Sequence, residues 1–403
     1  MQVRTNPYFK RRCGYAGKRN ERPVGTSSAG TRGAGWEQRR SSCSGSGRRC
    51  DAHCSSSHPS IRRRDAHCSS SHPSSRCDAH SNSSHPSNRW RRDAHCSFSH
   101  PSNRSRRRDM RKGSLVGSGS AMKVLLTGAG GQLGRELQRL LAPRHQVTAL
   151  MREQLDVRDA ERTEALLQAE RPDVVIHGAA FTDADRAERE VEHAYEVNAI
   201  GTWRLAQAVQ LVDAKLVCLS TDQVFDGMKG APYEEDDRPE PRSIYGQSKL
   251  LGEKLAAASC DKLFIVRTSW LYGASGSSWV TQAAQRALTE GKLTAEDDQY
   301  GSPTYVRDLA VLLEQLMASD KYGVYHAANA GWCSRYELAR HLVTGLGLEP
   351  EVVTPVPSGE RAFAAVSPPF SALAGKALAA NGFQTLRDWK AGLDHFLQHD
   401  FGR

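Results

Sequence analysis

The sequence predicts a doubly wound α/β domain of the Rossmann type, and three observations between residues 122 and 403 carry that prediction. Short apolar runs of strand length recur at residues 124–126, 147–150, 174–176, 216–219 and 263–266. Segments of helical period separate these runs, as with Leu133, Leu137, Leu140 and Leu141. A glycine-rich turn follows the first run. Strands that alternate with helices form a parallel sheet covered on both faces.

The first strand-to-helix turn carries glycines at every third position, namely Gly128, Gly131 and Gly134. A dinucleotide pyrophosphate needs such a tight turn, a close backbone approach and exposed amides at a helix N-terminus. After the second strand comes Arg152, in the zone that meets the adenine ribose. An arginine there favours the 2′-phosphate of NADP over NAD, and the alternative is a solvated surface residue.

A second group of polar residues lies near the fourth strand and the helix that follows. Thr221 and Asp222 end the strand, and Tyr245 and Lys249 are four residues apart, on one face of the predicted helix. A nearby ammonium favours the phenolate, so we expect the lysine to lower the pKa of the tyrosine. The pair suits proton exchange with a carbonyl or alcohol oxygen during hydride transfer.

The longer motifs resemble the extended short-chain dehydrogenase/reductases, and among them the dTDP-4-dehydrorhamnose reductases. They are TGAGGQLG from Thr127, HGAAFTDADRAE from His177, VNAIGTWRLA from Val197, STDQVFDG from Ser220, YGQSK from Tyr245, RTSWLYG from Arg267 and DQYGSPTYVRDLA from Asp298. The resemblance implies reduction, with NADPH or alternatively NADH, of the 4-keto group of a dTDP-6-deoxy-hexulose to give dTDP-L-rhamnose. It also implies a dinucleotide-binding domain at 122–270 and a smaller substrate-binding lobe at 271–403, with some segments returning to the first domain.

The resemblance implies a role for individual residues. Tyr245 matches the proton donor, Lys249 the residue that tunes it and binds the nicotinamide ribose, and Thr221 a ligand of the same sugar oxygen. Asp222 and Trp270 match substrate contacts. Residues expected at the cofactor are Gly128, Gly131, Gln132, Leu133, Gly134, Arg152, Asp156, Val157, Ala179, Ala180, Thr182, Tyr245 and Lys249. For Trp270 and Val157 the alternative is a simple core position.

Two departures from the family pattern affect the substrate side. Gln223 follows Ser-Thr-Asp where many members carry Tyr, and Ser367 stands where an Arg usually precedes Pro. Some members use magnesium at dimer contacts, but no carboxylate cluster here is specific enough to predict a metal site. The sequence is compatible with a homodimer and with a monomer.

Other functions remain as alternatives. An epimerase or dehydratase of the same superfamily uses the same Tyr, Lys and Thr but returns its hydride to the product. The regulatory subunit of methionine adenosyltransferase resembles this family and is a non-catalytic, NADP-binding partner protein. Intact Thr221, Tyr245 and Lys249 favour an enzyme.

Residues 1–121 have a composition unlike the rest of the 403-residue chain. The whole chain has a net charge of +10, but this segment has 25 Lys and Arg against 7 Asp and Glu, so residues 122–403 are net negative. Four copies of a ten-residue module begin at Asp51, Asp65, Asp78 and Asp93. They contain almost no apolar side chains, so we expect a disordered, low-complexity tail.

The residues of this tail suggest two functions. Its His and Cys residues suggest zinc, but one module lacks the Cys and no paired CxxC spacing appears. Its basic charge predicts only nonspecific attraction to nucleic acid. An upstream extension from a misassigned start, with Met122 as the true one, is the alternative. No apolar run is long enough for a membrane span or a signal peptide, and only three cysteines lie in the body, so we expect a cytoplasmic protein without a membrane partner.

Overall fold

The computed structural model describes residues 120–360 and 365–402. The predictions for the repeat modules, zinc and nucleic-acid binding fall on residues 1–119 and so lie outside the described residues.

Five of the strands are those expected from the apolar runs. The strands are β1 (Lys123–Thr127), β2 (Gln146–Leu150), β3 (Val174–His177), β4 (Lys215–Thr221), β5 (Leu263–Thr268), β6 (Leu271–Tyr272), β7 (Leu293–Glu296), β8 (Tyr300–Gly301), β9 (Thr304–Tyr305), β10 (Gly323–His326), β11 (Cys333–Ser334) and β12 (Val353–Val356). Six of them form one parallel sheet in the order β10-β5-β4-β3-β1-β2. The predicted Rossmann-type fold is therefore confirmed.

Helices follow the strands as the alternating pattern predicts. They are α1 (Gln132–Leu141), α2 (Ala160–Glu170), α3 (Ala184–Arg189), α4 (Val191–Tyr195), α5 (Thr202–Leu211), α6 (Ile244–Ala257), α7 (Trp279–Glu290), α8 (Val306–Met317), α9 (Arg335–Gly345), α10 (Lys376–Ala380) and α11 (Trp389–His399). A π-helical turn, Glu196–Gly201, leads into α5.

Successive residues of β1 supply the cores on the two faces of the sheet. Leu126 belongs to a core with Leu137 of α1 and Leu313 of α8, whereas Leu125 belongs to a core with Val209 of α5. Side chains alternate between the faces of a strand, so a central strand covered on both sides is apolar throughout. This explains why the apolar runs locate the strands correctly.

A third core lies under α7, α9 and α11. It includes the large buried side chains of Tyr272, Tyr305, Trp389 and Phe396. Segments beyond residue 270 build it, but α8 packs on α1 and β10 joins the main sheet. The assignment of substrate binding to this part of the chain stays a prediction.

In the part of the chain that the structure describes, no helix is both long and apolar enough to cross a membrane. The predicted cytoplasmic location stays a prediction.

The parallel register brings the carboxyl ends of four strands to one edge of the sheet. Thr127 of β1 pairs with His177 of β3, and Thr221 of β4 pairs with Thr268 of β5. Ligands of open α/β sheets bind outside this edge. The loops that follow these strands therefore position the candidate site.

Candidate active site

A cavity of about 600 Å³ opens at the carboxyl edge of the sheet. The loop after β1 lines one side of it, and the end of β4 with the first turn of α6 lines another. Predicted site residues that line it are Gly128, Gly131, Gln132, Leu133, Gly134, Ala180, Thr182, Thr221, Asp222, Tyr245, Lys249 and Trp270. The other four, Arg152, Asp156, Val157 and Ala179, are not among the lining residues.

The loop after β1 needs its glycines. Gly128 has a φ of +72°, and an added Cβ would stand 2.5 Å from the backbone carbon of Gly178. An added Cβ on Gly134 would overlap Gly128 itself. Gly131 precedes α1 in an extended conformation and has no side chain that could cap the helix. The first amides of α1 are therefore not occupied by a capping side chain. This arrangement fits a bound pyrophosphate.

Gln132 connects this loop to the segment that precedes α7. Its Nε2 donates a hydrogen bond to the carbonyl oxygen of Ser277 at 3.3 Å, and an added Cβ on Gly276 would stand 2.8 Å from its Cγ. Its Oε1 is buried without a hydrogen-bond partner among the described residues. The neighbouring Leu133 turns its side chain into the core, so only its backbone is suited to a ligand contact. An orphaned acceptor beside the glycine cradle supports a donor-bearing ligand there.

The predicted adenosine residues lie after β2. Arg152 is exposed, whereas Val157 is buried in contact range of Gly201. The Asp156 carboxylate is held by Arg158 through several hydrogen bonds, the shortest at 2.6 Å. These bonds lower the pKa of Asp156 to about 2, so its side chain is ionised at neutral pH. Contacts from Asp156 and Val157 to a cofactor stay predictions. Because the Val157 side chain is buried, its backbone is the part that could contact a cofactor.

The loop after β3 carries the remaining predicted cofactor residues. The Ala179 amide donates to the Thr127 hydroxyl at 3.4 Å, and that hydroxyl also lies 2.8 Å from Nδ1 of His177. Burial first, and then the nearby Lys249 charge, lower the pKa of His177 to about 3. A neutral His177 thus ties the ends of β1 and β3 together.

The first turn of α6 packs tightly on the end of β4. The Ser243 hydroxyl caps the helix by accepting a hydrogen bond from the Gly246 amide at 3.1 Å. An added Cβ on Gly246 would overlap the carbonyl oxygen of Gln223. This close approach brings Tyr245 near Thr221, which acts on the pKa of the phenol.

The pKa of Tyr245 differs from the sequence-based expectation. Burial raises it to about 12, the nearby Thr221 hydroxyl opposes that rise, and the Asp222 charge adds to it. The expected lowering of the tyrosine pKa by Lys249 is therefore wrong, because burial disfavours the phenolate and Lys249 is not among the groups that shift this pKa. The hydroxyl is protonated and able to donate.

Lys249 is buried one helical turn beyond Tyr245. Its Nζ donates to the carbonyl oxygen of Leu219 at 2.7 Å. Burial lowers the pKa of Lys249, while Cys218 and Glu253 act in the opposite direction. The backbone carbonyl fixes the amine beneath the cavity.

Asp222 is a buried carboxylate that three hydroxyls hold in place. Thr221 donates to its Oδ1 at 3.0 Å, and Ser269 and Ser371 donate to its Oδ2 at 2.9 and 2.5 Å. Burial raises the pKa of Asp222, and the three hydrogen bonds oppose the rise. No sequence signal identifies Ser269 or Ser371 as its partners. The nearby Gln223, which departs from the family pattern, also lines the cavity.

Trp270 forms an aromatic wall of the cavity. It has a φ of +46°, a left-handed conformation rare for a bulky residue, and it is only partly buried. Strain of this kind concentrates at functional sites. Trp270 also packs against the core under α7, α9 and α11, so its role as a substrate contact stays a prediction.

No metal site was predicted. In residues 120–360 and 365–402 no group of three or more His, Cys, Asp or Glu side chains is arranged to hold a metal ion. The cysteines in this part, Cys218, Cys260 and Cys333, are buried and free.

Comparison with known proteins finds a matching family model and similar proteins of sugar metabolism. The family model described as the RmlD substrate binding domain matches residues 122–401. The spore coat polysaccharide biosynthesis protein SpsK of Bacillus subtilis is 39% identical over 277 residues, which are 68% of this chain and 97% of that protein. A dTDP-4-dehydrorhamnose reductase of Mycolicibacterium smegmatis is 39% identical over 277 residues, covering 68% of this chain and 84% of that enzyme.

A solved structure shares the fold of the chain. The crystal structure of dTDP-4-dehydrorhamnose reductase from Bacillus anthracis in complex with NADP has a TM-score of 0.67 and 39% identity, covering 69% of this chain and 99% of that one. Its similarity spans both the sheet and the segments beyond residue 270.

Proposed function

The chain belongs to the family of the RmlD substrate binding domain, and we propose that it reduces the 4-keto group of dTDP-4-dehydro-6-deoxy-L-mannose to give dTDP-L-rhamnose. It is an oxidoreductase that uses NADPH, with a nucleotide sugar as substrate. The observation that carries the proposal is the convergence of Thr221, Tyr245 and Lys249 on one cavity with the glycine loop after β1.

The glycine loop and the first turn of α1 would hold the cofactor pyrophosphate. The lack of Cβ atoms at Gly128 and Gly134 supports this assignment. When bound, the reduced nicotinamide supplies the hydride. Arg152, exposed after β2, is the residue proposed to meet the 2′-phosphate of NADPH.

Tyr245 would transfer its proton to the C4 oxygen of the sugar as the carbonyl carbon is reduced. Its raised pKa keeps the phenol protonated until then. Thr221 donates its hydroxyl proton to Asp222 and lies near the phenol, where it favours the phenolate form. The Lys249 ammonium, fixed by the Leu219 carbonyl, stabilises the phenolate that is left behind.

Asp222 and Trp270 are proposed to orient the sugar. A buried carboxylate accepts hydrogen bonds strongly, and its three hydroxyl partners hold its oxygens in a fixed orientation. The Trp270 ring supplies an apolar surface on the same cavity.

The proposal is tested by mixing the purified protein with NADPH and the keto-sugar nucleotide and following the loss of NADPH absorbance. We expect one NADPH oxidised for each dTDP-L-rhamnose formed, with the product identified by NMR. An epimerase would change the sugar without net NADPH consumption. A protein that binds NADPH but neither oxidises it nor changes the sugar would contradict the proposal.

A further inference from the structure

Arg335 lies against the aromatic wall of the cavity. Its guanidinium carbon stands 3.5 Å from the ring centroid of Trp270 and 5.0 Å from that of Trp279. A guanidinium over an aromatic face is attracted by the ring electrons, and its hydrogen bonds run in its own plane. The stack therefore places the positive charge of the Arg335 guanidinium next to the Trp270 ring.

The backbone around Arg335 fixes this placement. Arg335 begins α9, where Ser334 and Glu337 form a capping box, and its amide donates to the carbonyl oxygen of Gln299 at 3.1 Å. Strand β11 pairs with β8, where an added Cβ on Gly301 would stand 2.5 Å from Trp270 Cε2. Arg335 thus follows the strand that pairs with β8, and Trp270 packs on β8 itself.

The cavity has a shortage of positive charge on the side of Trp270. Among the described residues that line it, Asp222 and Lys249 are the charged ones. Lys249 lies under Tyr245 with its amine on the Leu219 carbonyl, and Asp222 repels an anion. The charge of Arg335 reaches Asp222, where it lowers the carboxyl pKa against the effect of burial.

We propose that Arg335 binds the diphosphate of the sugar nucleotide, with its guanidinium oriented by Trp270. The planar fork of arginine matches two phosphate oxygens at once. Arg335 would then select nucleoside-diphosphate sugars over uncharged sugars. This inference rests on the proposed function, since it names the residue that recognises the charged part of that substrate.

The test compares the binding of two probes, dTDP and thymidine, to the full chain by titration calorimetry. Wild type should bind dTDP more tightly than thymidine. Arg335→Gln should weaken dTDP binding by roughly 10- to 100-fold, as expected for lost charge-assisted hydrogen bonds, and leave thymidine binding unchanged. Arg335→Lys should recover part of the loss because it restores the charge without the fork. Arg340→Gln, on the same helix beside Tyr336, is the matched control and should bind both probes as wild type does.

Two results would overturn the inference. One is an Arg335→Gln protein that binds dTDP as tightly as wild type. The other is an equal loss for dTDP and thymidine in both Arg335 variants, which would mean that the arginine acts only by packing on Trp270. A wild type that binds dTDP through Arg335 yet oxidises no NADPH would contradict the proposed function and leave this inference standing.

Discussion

Gly246 packs directly on the carbonyl oxygen of Gln223, with no room for a Cβ between them. The contact sets the distance between α6 and the end of β4. Tyr245 precedes Gly246, and Thr221 lies two residues before Gln223, so this contact affects how closely the phenol approaches Thr221.

Gly246→Ala should therefore impair both activity and stability. The obstacle is a backbone atom that cannot rotate away, so we expect a loss of about 1–3 kcal/mol in the free energy of unfolding. Turnover should fall further than NADPH binding, since Tyr245 moves from Thr221. Gly359→Ala, at an exposed glycine with open space around it, is the control. Unfolding midpoints and kcat are measured for both variants. A Gly246→Ala protein that matches wild type in both quantities, as the control should, would contradict this prediction.

The lowered pKa of Lys249 predicts the alkaline side of the activity profile. The ammonium is the active form, so kcat should fall as pH rises through a pKa below the usual 10.5. Tyr245, with a pKa near 12, deprotonates later. Lys249→Arg should react more slowly but lose this fall, because arginine stays protonated. Lys254→Arg, exposed on the same helix, should keep it. An unchanged alkaline profile in Lys249→Arg would show that another group titrates.

Arg152 should determine the preference for NADPH. Arg152→Ala is expected to lower kcat/KM with NADPH by roughly tenfold, consistent with a lost charge-assisted contact, and to leave the value with NADH unchanged. Arg286→Ala, at an exposed arginine of α7, is the control. Equal efficiency with both cofactors in wild type, unaltered by Arg152→Ala, would remove this assignment.

Buried His177 should make stability depend on pH. Its pKa in the folded chain is about 3, against an ordinary value of 6.5, so below pH 6.5 the unfolded chain binds a proton that the folded chain does not. Stability from this residue is thus complete above pH 6.5 and declines as the pH falls toward 3. The decline should be about 1.4 kcal/mol per pH unit.

His177→Gln should remove that slope, since an amide does not titrate there. Urea unfolding between pH 6.5 and 5 gives the difference between variant and wild type at each pH. His399→Gln, exposed on α11, should leave the slope as in wild type. A slope equal in all three proteins would mean that His177 is charged when folded.

Local patterns predicted what depends on local sequence. The apolar runs located the strands because parallel strands are apolar on both faces, and the four-residue spacing of Tyr245 and Lys249 placed both on one helix face. The partners of Asp222 were not predictable in this way. Ser269 and Ser371 lie 47 and 149 residues from it, and a serine carries no periodic signal.

Charge effects that depend on burial also escaped prediction. The spacing of Tyr245 and Lys249 suggested a lowered tyrosine pKa, but burial of the phenol raises that pKa instead. In the same way, the stack of Arg335 on Trp270 joins residues that are distant in the sequence and has no counterpart in a local motif.

The decisive measurement is turnover by Tyr245→Phe. Positioned general acids contribute 10²- to 10⁴-fold, so kcat should fall by roughly 10²-fold or more. NADPH binding, measured by fluorescence titration, should match wild type. Tyr322→Phe removes a hydroxyl that donates to Asp320 at the surface and should be fully active. A Tyr245→Phe protein that oxidises NADPH at a near-normal rate would mean that the proton comes from elsewhere, and the assignment of Tyr245 would be wrong.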